Sequence, residues 1–168
     1  MMTLRCTRKV RDRLRLPETL PEPPASTGQL GDWYVHLVRF GRPEFAIATN
    51  ERSLLTVLFP ARELRTTLAP NLRAAVGPLL EFLHVSHEAV AREIAAMEAV
   101  AFGRARNRRV LGSMNDLAFQ ASVHLARGDD LFTISRRLAE TPMSAIGAKR
   151  SDYGYPREVA RELLAAST

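Results

Sequence analysis

The spacing of apolar residues in the body of this chain changes character at Pro60. Ahead of it, residues 33–40, 44–49 and 53–59 are short runs rich in β-branched, aromatic and aliphatic side chains. Gly41-Arg42-Pro43 and Asn50-Glu51-Arg52 separate them, so they predict three consecutive antiparallel strands, with Pro60 closing the last. Beyond Pro60 the spacing is helical. Leu64 and Leu68 open a short helix, residues 72–83 form another despite Gly77-Pro78, and Val90, Ile94 and Met97 share one face of a third, capped by Ser86. Strands early and helices late predict an α+β domain: a small, mainly antiparallel sheet from the N-terminal third, packed on one face by helices from the C-terminal two thirds.

The flanking segments extend this plan. Residues 3–7 read as a short strand, and residues 7–16 as a helical turn or two with Val10 and Leu14 four apart. Pro17, Pro21, Pro23 and Pro24 fix φ and remove backbone donors, so residues 17–30 are expected to form a surface loop. Asn107 caps the longest helix and Gly128 stops it; a further helix fills residues 130–140, residues 145–155 read as loop, and Pro156 opens a last helix with Val159 and Leu163 on one side. At 168 residues the chain suits one domain with one core.

Composition narrows the class. A hydrophobic fraction of 46% with 25% charged residues is that of a folded protein. Its longest apolar stretch, residues 54–60, is far below the roughly 18 residues a membrane helix needs. An N-terminus broken by arginine or lysine every few residues lacks the core of a secretory signal, although an arginine-rich start is also how a transit peptide begins. The one cysteine, Cys6, forms no internal disulfide and suits a reducing cytoplasm, with a buried strand position as its expected role.

The formal net charge of +6 is unevenly placed. Residues 1–15 carry six basic side chains against Asp12 alone, and residues 104–109 carry four arginines and no acid. Patches of this kind steer anionic partners, a nucleic acid or an acidic protein. The second patch leads into the run of residues 107–120, the least interchangeable stretch of the chain. On a helix its Val110, Leu111, Met114, Leu117, Ala118, Ala121 and Leu125 fall in one apolar arc. Ser113, Asp116 and Gln120 line up with Arg109 on the opposite side, and Asn115 completes the polar candidates.

Arg104, Arg106, Arg108 and Arg109 at a helix N-terminus oppose the macrodipole, so a negative group should compensate them. An external phosphate or carboxylate would do so, and so would an internal carboxylate such as Glu51 or Glu98. If an enzyme, the chain would use Arg109, Ser113, Asn115 and Asp116 on an anionic metabolite. A purely structural role for the run is the third reading, with Asn115 and Asp116 satisfying backbone groups.

Other chemistry has little support. Gly112-Ser113 lacks the second glycine of a nucleophile elbow, and no glycine-rich phosphate loop occurs. His84 and His87 straddle a helix break, so no metal site is expected, and no cofactor signature is present. His36 and His124 read as packing or surface residues, and Trp33 as a core anchor.

Five separated blocks, residues 4–9, 30–34, 50–54, 107–119 and 138–142, resemble a bacterial family of short proteins known only as a domain of unknown function. The Gly-Ser-Met-Asn-Asp block at residues 112–116 is the most specific, while Ser53 and Arg106 stand where the family leads one to expect threonine or a similar small residue. The resemblance implies a bacterial, cytoplasmic, one-domain protein and supplies no catalytic residue. The residues themselves favour a non-enzymatic binding or regulatory module of undefined oligomeric state.

Overall fold

A computed structural model describes residues 1–147 and 152–166. Five strands, β1 (Met2–Cys6), β2 (Trp33–Arg39), β3 (Glu44–Asn50), β4 (Thr56–Pro60) and β5 (Val100–Arg104), form one sheet in the order β4-β3-β2-β1-β5. Six helices accompany it: α1 (Arg8–Leu14), α2 (Leu64–Phe82), α3 (His87–Ala96), α4 (Arg108–Ala126), α5 (Leu131–Ala139) and α6 (Pro156–Ala165). The expected α+β plan holds: β2, β3 and β4 are antiparallel neighbours. β1, however, lies inside the sheet and pairs in parallel with both β2 and β5.

That position explains why β1 is almost continuously buried rather than alternating, since a strand with parallel neighbours is covered on both sides. The sheet as a whole is covered on both faces, not on one. Leu4, Trp33, Val35, Ala48 and Val57 point into a core with α1, α2, α3 and α6, whereas Tyr34, Ile47 and Leu58 point into a second core with α4 and α5. Strict alternation along β2 and β3 divides the two sets.

Three further expectations change. β5 was not anticipated: its five residues contain glycine and arginine, and their burial is mostly partial. The two helices expected over residues 64–83 are one. Leu64, Leu68, Leu72, Val76, Leu79 and Leu80 form one buried stripe along it, and Pro70 and Pro78 sit on its exposed side, where the freed carbonyls of Thr66 and Ala74 are on solvent-facing residues. The last strand of the hairpin begins at Thr56, not Ser53, because residues 51–54 make the turn and Leu54 adopts φ +58. Such a φ costs a non-glycine residue roughly 1–2 kcal/mol, and full burial of the Leu54 side chain offsets it. Along α6 the buried positions are Pro156, Ala160 and Leu164, the last two one residue on from Val159 and Leu163, which are half-buried. Residues 148–151 of the expected loop lie outside the described residues; before them, Ser144–Ile146 make one 3-10 turn.

The turn is organised by Asn50, which is fully buried. Its amide nitrogen donates to the carbonyls of Leu30 (2.8 Å) and Asp32 (3.2 Å). Its oxygen accepts from the backbone N–H groups of Arg52 and Ser53 and from the Ser53 hydroxyl. Every hydrogen-bonding capacity of the side chain is used, which is what makes a buried amide tolerable. Asn50→Ala should lower the unfolding free energy by about 3 kcal/mol, because it strands several buried backbone groups at once. Urea titration of that variant beside Arg42→Ala, an exposed turn residue expected to change stability by less than about 0.5 kcal/mol, checks it.

Candidate functional site

The arginines of residues 104–109 do not crowd a bare helix terminus. Arg104 is the last residue of β5 and donates to the Glu18 carbonyl; Arg106 lies in the connection and reaches Glu22 at 3.7 Å; Arg109 donates to the Ala145 carbonyl at 2.8 Å. Arg108, exposed, is the one of the four without a hydrogen bond or ion pair among the described residues. Asn107 caps α4 as expected, accepting from the N–H groups of Arg109 and Val110. It also donates to Glu51 at 3.1 Å, which accepts from the Tyr34 hydroxyl at 3.5 Å. Burial, and then the Glu51 charge, hold the Tyr34 hydroxyl above its ordinary pKa.

Behind this sits Arg5, with its guanidinium on Asp32 (2.9 Å) and Glu22 (2.5 Å); Ser26 holds the other oxygen of Asp32 at 2.6 Å. Glu22, Ser26 and Asp32 all come from the proline-rich segment or its end. Those residues form no helix or strand, as expected, yet they are part of the packing. Pro23 lies so close to Gly103 that a Cβ there would stand 2.7 Å from the Pro23 ring. Much of the positive charge before α4 is thus met by carboxylates and carbonyls of this chain.

The polar stripe of α4 is split by the fold. Ser113 is buried, not solvent-facing as its helical position suggested, because β2, β3 and α5 wrap more than the apolar arc of α4. Asn115 and Asp116 are exposed, and Gln120 accepts from the Thr141 hydroxyl at 2.9 Å. Gly112 has open space where a Cβ would be. Of four clefts among the described residues, none is lined by Arg109, Ser113, Asn115 or Asp116. His36 is hydrogen-bonded to Thr7 at 3.0 Å, with burial and then Lys9 lowering its pKa, and His124 stands 3.2 Å from Asp129. Cys6 is buried in β1, its thiol pushed up to about 12 by desolvation. Among the described residues no group of three histidine, cysteine or acidic side chains could hold a metal, and no helix is long and apolar enough to cross a membrane.

An open concave surface rich in cations lies elsewhere. On the far side of the sheet from α4, a cleft of about 1280 Å³ lies between α1, the hairpin end of β2 and β3, and the start of α2. Leu37 and Leu64 line it among five cations: Lys9 and Arg13, one turn apart on α1, Arg15 at its end, Arg39 on β2 and Arg65 on α2. Asp12, Glu44 and Glu63 are its acids. An adjoining cleft of about 760 Å³ shares Arg13, Glu44 and Glu63 and adds Arg42 and Arg62. Lys9, Arg15 and Arg65 have no carboxylate within ion-pair distance among the described residues. The basicity of residues 1–15 was visible in the sequence; that it would meet arginines from β2 and α2 was not.

A family model described as Domain of unknown function (DUF6933) matches residues 3–159. No curated protein and no solved structure matches the chain.

One buried carboxylate fixes the loop that supplies Glu22 and Asp32. Glu93, on α3 and 3% exposed, accepts from the N–H groups of Gln29 (2.7 Å) and Leu30 (3.3 Å). Desolvation raises its pKa against the opposing pull of those two donors. A carboxyl whose folded pKa is raised binds its proton more tightly when folded, so the protein loses stability as pH climbs from the ordinary glutamate value to the raised one. Glu93→Gln removes that titration. Relative to the parent, the variant should gain stability as pH rises above the ordinary glutamate value and level off once Glu93 is ionised in the folded parent as well, on top of a constant cost for the lost acceptor; paired urea titrations as a function of pH measure the difference.

Proposed function

The chain belongs to this domain family, and we propose that it is a non-enzymatic binding module whose cationic cleft receives the phosphate backbone of a nucleic acid. The single observation that carries this reading is that Lys9, Arg15 and Arg65 have no carboxylate partner among the described residues, around an open cleft that, together with its neighbour, is lined by seven cations and three carboxylates. Opposite charge at that density attracts polyanions at long range, and arginine forks match phosphate oxygens in pairs. The arginines before α4 contribute less, since three of the four are already engaged within the chain.

Binding of this kind is sequence-tolerant and strongly salt-dependent. A fluorescein-labelled 20-base-pair DNA duplex should be bound at 50 mM salt and released as salt rises. Replacing Lys9, Arg15 and Arg65 with alanine should weaken binding and lower the slope of log affinity against log salt by about 3 units, at about 0.9 per lost phosphate contact. Arg108→Ala should cost far less. Absence of duplex binding by the parent at low salt would refute the nucleic-acid reading, and retention of a specific acidic protein by the parent but not by the triple variant would replace it with a protein partner.

A further inference from the structure

Among the cations of the cleft, Arg13 and Arg39 differ from Lys9, Arg15 and Arg65 in already holding a carboxylate. Glu44, the first residue of β3, lies directly across the ladder from Arg39 and beneath α1. One of its oxygens takes Arg13 at 2.7 Å and the other stands 3.6 Å from Arg39, so a single carboxylate bridges two guanidinium groups from two different elements. Its side chain is 23% exposed, against 45% for Arg13 and 64% for Arg39. Glu44 therefore sits below two arginines that remain open to solvent, at the junction of the two clefts, both of which it lines.

Two arginines on separate oxygens of one anion are the arrangement that a bridging phosphate takes. We propose that Arg13 and Arg39 form a phosphate-binding fork that Glu44 occupies until a nucleic-acid phosphate displaces it. The inference rests on the binding role given above to the cleft, and it adds an internal competitor. Glu44 keeps the two guanidinium groups converged, which lowers the ordering cost of binding, and holds back affinity until its own contacts are exchanged.

The carboxylate of Asp12 supplies the control. It lines the same cleft, is exposed, and has only a 3.9 Å contact with Arg8. Removing either charge makes the cleft more positive, but only Glu44 blocks the fork. With the labelled duplex at 100 mM salt, Glu44→Gln should tighten binding by about tenfold and Asp12→Asn by about twofold. The gain from Glu44→Gln should disappear when Arg13→Ala is also present, because the freed fork is then incomplete. Far-ultraviolet circular dichroism and urea midpoints establish that each variant is folded.

Equal gains from the two single variants, or a gain that survives Arg13→Ala, would overturn the fork while leaving the general role of the cleft intact. Duplex binding by Glu44→Gln at 100 mM salt, where the parent binds only at 50 mM, would support the fork in its strongest form. No binding by either protein at 50 mM salt would overturn both readings.

Discussion

The buried carboxamide of Asn50 is the joint on which the polar architecture depends. By taking the carbonyls of Leu30 and Asp32 on its nitrogen and the turn N–H groups on its oxygen, it fixes the end of the proline-rich segment against the β3–β4 hairpin. Two carboxylates are placed as a consequence. Asp32 is brought over β1 to meet Arg5, and Glu51, whose N–H donates to the Asp32 carbonyl, is brought to Asn107 at the start of α4. A chain whose early sequence is rich in basic groups thereby carries its counter-charges in loops and turns, at positions set by hydrogen bonds that leave no capacity of the amide unused.

This division of charge separates the two basic clusters. Before α4, arginines meet acids and carbonyls at short range, where a few contacts offset the dipole penalty of tenths of a kcal/mol per cation. Around α1 the acids are too few, and Glu44 is shared between two arginines. Charges on opposite faces of the sheet lie near or beyond the screening distance of about 8 Å in physiological salt, so the surplus on one face is not cancelled by acids on the other. An open surface with an uncancelled surplus attracts anions; a patch of equal sequence charge that is paired internally contributes mainly to folding.

Much of the fold was legible because its signals are local. The hairpins between β2, β3 and β4, the caps Ser86 and Asn107, the stop at Gly128 and the core position of Trp33 each follow from a few neighbouring residues. What was not legible depends on distant partners. β5 is recognisable only once β1 is known to need a second parallel neighbour, and the continuity of α2 through two prolines depends on what its buried stripe packs against. Ser113 reads as polar surface until the sheet and α5 close over that side of α4. The cleft failed to show for the same reason: its cations come from α1, β2, α2 and two turns, and no spacing rule links them.

Backbone strain at the cleft follows the same logic. Arg15 ends α1 at φ +56 and Glu63 precedes α2 at φ +48, both non-glycine residues in the left-handed region, and both line the same concavity. Each conformation costs on the order of 1 kcal/mol, which glycine would avoid. The adjoining residues explain how it is sustained: Leu14 and Leu64, one on each side of the cleft, are buried in the core and hold the chain ends on either side of the strained positions. Burial of two leucine side chains, at roughly 1.5–3 kcal/mol apiece, exceeds the two strains together. The walls are consequently fixed by the core beneath them, so a ligand entering the cleft would have to order the long arginine and lysine side chains rather than the backbone that carries them.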